Sequence, residues 1–215
     1  IEDAAQSFGA RFNSRKSCSF GNCAATSFYP AKPFGCYGDG GAIFTNDNDF
    51  AQICRSIRVH GQGKDKYDNI RIGLNSRLDT IQAVVLLNKL KIFEEELVLR
   101  NQVASKYNSK LSNHVKTPNV VNGHMSSWAQ YSILVRNSEV REKIIDHLNA
   151  KNIPTAIFYK IPFSENKIYK IKNQTNHFPV SRNISERIFS IPMHPYLSEN
   201  DIDQVSEVII NYFEK

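Results

Sequence analysis

The residues best suited to chemistry lie in one stretch, Ser27-Phe28-Tyr29-Pro30-Ala31-Lys32-Pro33-Phe34-Gly35, continued by Cys36-Tyr37-Gly38-Asp39-Gly40-Gly41. A lone lysine is ordinarily a solvated surface residue. Lys32 has a different setting: it follows an apolar run and stands between prolines in a glycine-rich turn. Burial in such a turn would penalise the ammonium form and favour an amine able to attack a carbonyl. The chemistry suggested is Schiff-base formation. Ser27, five positions earlier, offers a hydroxyl, and Asp3, near the start, offers a carboxylate. Taken alone, the serine reads equally as a strand serine bonded to backbone, and the aspartate as a loop or cap carboxylate.

These residues need elements to hold them. Residues 24–28 and 42–45 are short apolar runs that read as buried strands, with the Lys32 loop between them. Asn46 or Asp47 can cap a helix to about Ile57, with Phe50, Ile53, Cys54 and Ile57 on one face. A second helix begins at Ser76 or Asp79 and carries Leu78, Ile81, Val84, Val85 and Leu87. It leads into a third helical stretch over residues 93–111, of the kind that links domains. Strand followed by helix predicts α/β architecture. Beyond it the pattern changes. Residues 130–135 alternate like a strand, 138–150 form an amphipathic helix, and 153–159 read as another strand. Ser198-Glu199-Asn200-Asp201 resembles a capping box for a final helix bearing Ile202, Val205, Val208, Ile209 and Phe213. The expected division is residues 1–93, part of a large domain, and residues 94–215, a small α+β domain. The chain opens Ile1-Glu2-Asp3-Ala4 with no methionine, as at a strand's end, and reads as a piece of a longer protein.

Residues 27–41 resemble the lysine loop of the DegT/DnrJ/EryC1/StrS family of sugar aminotransferases. Four other segments agree in order and spacing: Ile1-Glu2-Asp3-Ala4-Ala5-Gln6, Arg58-Val59-His60-Gly61, Gly73-Leu74-Asn75-Ser76-Arg77-Leu78-Asp79 and Ile191-Pro192-Met193-His194-Pro195. Within the family, the loop and Arg58-Val59-His60-Gly61-Gln62 are most similar to enzymes that aminate C3 of UDP-linked 2-acetamido-3-keto-hexuluronic acids. The resemblance implies fold type I of the enzymes dependent on pyridoxal 5'-phosphate (PLP): a large α/β domain with a mostly parallel sheet, a small C-terminal domain, and active sites shared across a homodimer. It implies that Lys32 bonds the cofactor covalently and, once released, moves the proton between substrate and cofactor carbons. It implies Asp3 at the protonated pyridine nitrogen, Gln6 near the phenolic oxygen, and Ser27 and Asn75 on the phosphate. Arg77 suits a substrate diphosphate or carboxylate, since a guanidinium fork matches planar anions, though it fits a structural ion pair as well. Tyr159, His194 and His60 are candidate substrate contacts; a histidine in such a chain is more often structural.

The implied reaction is transfer of an amino group, from glutamate, to a keto group of a nucleotide-linked sugar, in surface-polysaccharide or lipopolysaccharide biosynthesis. Two alternatives stay open: a PLP-dependent sugar dehydratase or aromatic-amine synthase of the same family, and a truncated, non-catalytic chain that only dimerises or binds nucleotide. Two departures bear on them. The family's N-terminal part, with a helix N-terminus for the phosphate and an aromatic on the ring, has no counterpart here. Close relatives often carry a histidine where this chain has Phe158.

The remaining chemistry is bland. Cys18, Cys23, Cys36 and Cys54 form no C-x-x-C pair and no zinc-spaced Cys/His set, so no metal is expected. Free thiols suit a reducing cytoplasm. The net charge of +6 favours anionic partners, but the basic residues are scattered, as in Lys167, Lys170 and Lys172, and form no arm for nucleic acid. His114, His124, His147 and His177 read as surface residues. No apolar run approaches the ~18 residues of a membrane span.

Overall fold

The computed structural model describes residues 1–168 and 178–214. Lys170, Lys172 and His177 lie outside them. The chain divides into two compact units. The first comprises Ile1–Val98 with Val120–Ala129, and the second Leu99–Asn119 with Gln130–Lys215.

In the first unit the elements are β1 (Glu2–Asp3), β2 (Arg11–Phe12), β3 (Arg15–Lys16), β4 (Cys23–Ser27), β5 (Gly41–Thr45), α1 (Asn48–Arg58), α2 (Thr80–Leu90), the start of α3 (Phe93–Leu111) and β6 (His124–Met125). One sheet has the order β1-β4-β5. β1 runs parallel to β4 with Asp3 opposite Ala25, and β5 runs antiparallel with Ile43 opposite Ala25 and Gly41 opposite Ser27. Side chains alternate between sheet faces. Ala24, Thr26 and the following Phe28 are buried, and Phe28 joins Phe34, Cys36, Leu86, Phe93 and Leu97 in one apolar cluster. Phe8 stacks on Phe34 at 5.2 Å between ring centroids and meets the Phe28 ring edge-on at 6.2 Å. The opposite face, with Asp3, Ala25 and Ile43, is exposed. This sheet is laced from its edge: the buried Thr26 hydroxyl donates to Ala4 O at 2.9 Å, and the Glu2 carboxylate accepts from the Cys18 and Phe20 amides at 2.7 and 3.0 Å. A second sheet, β3-β2-β6, is an antiparallel ribbon. Lys16 and Arg11 both pair with Glu94, at 2.6 and 3.1 Å.

α1 starts where an N-cap was expected. The Asp47 carboxylate accepts from the Phe50 amide at 3.0 Å, satisfying one of the helix's orphan N–H groups. The cap position of α2 is Asp79, whose side chain makes no capping bond.

The second unit holds the rest of α3, β7 (Tyr131–Leu134), α4 (Ser138–Ala150), α5 (Pro179–Arg187), β8 (Ile188–Ile191) and α6 (Glu199–Phe213). β7 and β8 are antiparallel, with Ile133 opposite Phe189. Tyr107, Leu111, Ile144, Leu148, Ile202 and Ile209 are fully enclosed with them. α6 carries a complete capping box: Ser198 accepts from the Asp201 amide, and Asp201 accepts from the Ser198 amide. The expected strand over residues 153–159 is reduced to one bridge, Ala156 opposite Ser190. Pro154 lacks an N–H to donate and fixes φ, so a ladder cannot extend through it. β8 and α5 were not anticipated. Among the described residues, no helix is long and apolar enough to cross a membrane, and no group of three or more His, Cys, Asp and Glu side chains can hold a metal.

Candidate active site

Asp3 and Ser27 end the only parallel strand pair of the first unit's described residues, so both stand at one carboxyl edge of its sheet. In open α/β sheets that edge is where ligands bind. Asp3 and Ser27 also fall in alternation with the exposed face, and Gln6 follows Asp3 by three residues, exposed. Asp3 accepts from the Ala5 amide at 3.0 Å, and Ser127 donates to Gln6 O at 3.0 Å. Ser27 Oγ accepts from the Tyr29 amide at 3.3 Å, which leaves its own proton available to another acceptor.

Lys32 lies in the loop that leaves β4 from this edge. It is half-buried, and among the described residues no hydrogen bond or ion pair engages its side chain. The loop itself is tightly built. The Lys32 amide donates to Tyr29 O at 2.9 Å, the Cys36 amide to Phe28 O at 2.7 Å and the Phe28 amide to Gly40 O at 2.8 Å. The Cys36 thiol is 3.0 Å from Phe28 O and 3.1 Å from Gly38 O. Gly35 lets this loop close: a Cβ there would sit 2.5 Å from Tyr29 O. α2 holds the same loop through two side chains. Gln82 Oε1 accepts from the Tyr37 amide at 2.8 Å, and Lys89 Nζ donates to Gly35 O at 2.7 Å. The sequence reading gave α2 an apolar face and missed both residues. The available signal was their seven-residue spacing, two helical turns, which puts them on one side.

His60, Asn75 and Arg77 form a second group. Residues 57–62 run against 69–76, with the His60 amide on Leu74 O at 2.9 Å and Val59 bridged to Asn75. The two segments cross at glycines. A Cβ on Gly61 would lie 1.7 Å from Arg71 O, and one on Gly73 would lie 1.9 Å from Gly61 N, so no larger residue fits either place. Arg77 donates through Nε and Nη2 to Asn75 Oδ1 at 3.3 and 3.0 Å. Because guanidinium only donates, the bonded atom must be the amide oxygen, and the Asn75 NH₂ group faces elsewhere. His60, Asn75 and Arg77 are all exposed. Among the described residues, no hydrogen bond joins this group to Asp3, Ser27 or Lys32.

Tyr159 and His194 belong to the second unit. Tyr159 is exposed. His194 Nδ1 accepts from the Tyr196 amide at 3.2 Å, which fixes the neutral tautomer with its proton on Nε2. Partial burial, reinforced by the Arg100 guanidinium and opposed by Asp201, holds its pKa below the usual imidazole value.

The profile of the DegT/DnrJ/EryC1/StrS aminotransferase family matches residues 1–210. The chain belongs to this family. It is 45% identical over 212 residues to the UDP-2-acetamido-2-deoxy-3-oxo-D-glucuronate aminotransferase of Pseudomonas aeruginosa, covering 98% of this chain and 57% of that protein. It is 36% identical to the dTDP-3-amino-3,6-dideoxy-alpha-D-galactopyranose transaminase of Aneurinibacillus thermoaerophilus, covering 99% and 57%. The crystal structure of a family aminotransferase from Brucella abortus superposes with a TM-score of 0.95 at 49% identity, covering 100% of this chain and 57% of that one. The chain thus has the α/β fold expected of fold type I enzymes, over somewhat more than half the length of the relatives it matches.

Proposed function

We propose that the whole protein is a PLP-dependent aminotransferase that moves an amino group from an amino-acid donor, glutamate, to the keto group of a nucleotide-linked sugar. The observation that carries this reading is the convergence of Asp3, Ser27 and the Lys32 loop on one carboxyl edge of the parallel pair. The donor set suits the cofactor: a carboxylate for a protonated ring nitrogen, a hydroxyl with a free proton for a phosphate, and an unengaged amine for a carbonyl. Bound there, PLP supplies an electron sink for the carbon that loses a proton.

The chain's own residues divide the work. Lys32 would hold the cofactor through its amine, and that amine, when free, would carry the proton between carbons. Asp3 keeps the ring nitrogen protonated, and Gln6 serves the phenolic oxygen. Ser27 and the Asn75 NH₂ group bind the phosphate, Asn75 reaching across a homodimer. Arg77, His60, Tyr159 and His194 contact substrate. A homodimer is supported by the exposed apolar side chains beside Asn75, among them Ile70, Ile72, Leu74 and Ile81. The name of the Pseudomonas aeruginosa relative favours a UDP-linked 3-keto hexuluronic acid as substrate, and the aminated product would then enter surface-polysaccharide or lipopolysaccharide synthesis. Neither relative reported above is named as a dehydratase. The four free thiols speak for a reducing cytoplasm. The division into a partial large domain and a small C-terminal domain, near residue 93, belongs to the same reading.

The test uses the whole protein. Borohydride reduction in the presence of PLP should label Lys32, and a Lys32→Ala variant should take no label there. With glutamate and a keto-sugar, the product mass should show oxygen replaced by an amino group. A product lighter by one water, or label spread evenly over many lysines, would overturn the assignment.

A further inference from the structure

We infer that Gln82 and Lys89 are positioning residues for Lys32, acting as a two-point clamp on its loop. The inference rests on the cofactor reading above and adds residues that reading does not contain. Lys32 sits in a segment whose ends are fixed at β4 and β5 and whose middle must hold the amine at one place. Backbone bonds close the near side of the loop, between residues 28 and 40. The far side is held by α2. Gln82 and Lys89 lie two helical turns apart on it, and between them Leu86 is buried in the same apolar cluster as Phe34 and Cys36.

The two contacts are complementary. Gln82 takes a loop N–H, at Tyr37, and Lys89 gives to a loop C=O, at Gly35. These backbone groups flank Cys36, and the loop's own bonds leave both to α2. An acceptor and a donor at fixed spacing set the loop's distance from the helix and its direction along it. Gly38 completes the fit, since a Cβ there would lie 3.0 Å from Gln82 Nε2. α2 also follows directly on the segment bearing Asn75 and Arg77. One helix therefore ties the amine's loop to the strand of chain proposed to meet the phosphate.

The test separates hydrogen bonding from packing. Gln82→Met and Lys89→Met keep volume and remove the acceptor or donor, whereas Gln82→Glu and Lys89→Arg keep them. Hydrogen exchange at the Tyr37 amide should rise about three- to tenfold in Gln82→Met, the worth of one net hydrogen bond, and return in Gln82→Glu. Acetylation of Lys32, mapped by mass against the other lysines across a pH series, should quicken by a similar factor in both Met variants and be restored by Glu and Arg. An unchanged Lys32 profile beside a loosened Tyr37 amide would reduce the clamp to a structural contact and overturn the proposal. Neither readout needs PLP. Borohydride capture of PLP on Lys32, run in parallel, should fall by about the same factor in the Met variants. A clamp that governs acetylation in a chain that never captures PLP would sink the cofactor reading and leave the clamp intact.

Discussion

The two units finish their surfaces in different ways. The second has a fully enclosed core, in which Tyr131, Ile133, Ile144, Leu148, Phe189 and Ile209 have no exposed surface, although Ile161, Phe163 and Val180 of the same unit lie exposed. The first, which carries Lys32, Asp3, Ser27 and Asn75, buries one sheet face and leaves the other open. It exposes Ile43, Ile72 and Leu74, and α2 presents Ile81, Val84 and Leu87 at three-residue spacing to solvent. The unit that carries the proposed cofactor residues is also the one with more exposed apolar side chains among the described residues.

That contrast can be broken first in the closed core. Leu148→Ala should cost about 2–5 kcal/mol in denaturant unfolding, because an enclosed leucine leaves a cavity its neighbours cannot fill. A loss well below 1 kcal/mol would show that the second unit is not the closed one. Next, Thr26→Val should cost about 0.5–1.5 kcal/mol by removing the hydroxyl that ties β4 to Ala4. It should also reduce PLP capture, since Asp3 is placed by that strand pair. Ser198→Ala should cost about 1 kcal/mol by dismantling the capping box of α6, with no effect on the chemistry of the first unit. Ile72→Asp and Ile81→Asp sharpen the other side. Each should change stability by less than ~0.5 kcal/mol, yet shift sedimentation toward a smaller species if this face joins two copies.

The smallest effect concerns pH. His194 should titrate below the usual imidazole value near 6.5 by NMR. Its folded pKa lies below its unfolded one, so the unfolded state binds the proton first as pH falls. Stability linked to His194 is therefore fully present above the unfolded value and is lost as pH drops through the folded one. Replacing Asp201 by Asn should lower the midpoint further, because the carboxylate opposes the shift.

Much of the fold was legible in local pattern. The runs at 24–28 and 42–45 became β4 and β5, and Asp47 and Ser198 cap helices because short polar side chains satisfy orphan N–H groups wherever the next residues turn helical. The 153–159 run failed because apolar content was weighted above Pro154. β1 falls where the opening residues read as a strand's end, whereas β2, β3 and β6 escaped notice because two-residue strands have no period to read.

The site divides along the same line. Residue type and spacing alone singled out Lys32 in its loop and set Ser27 five residues before it, because a chemical group and its distance along the chain are properties of sequence. That Asp3 and Ser27 share a carboxyl edge was decided by the parallel pairing of β1 with β4, across some twenty residues of intervening chain. Gln82 and Lys89 reach the loop from 45 and 54 residues away, and the Asn75 amide is turned by Arg77. Such contacts depend on where elements pack, and packing is settled by the whole core at once, so no local pattern records it.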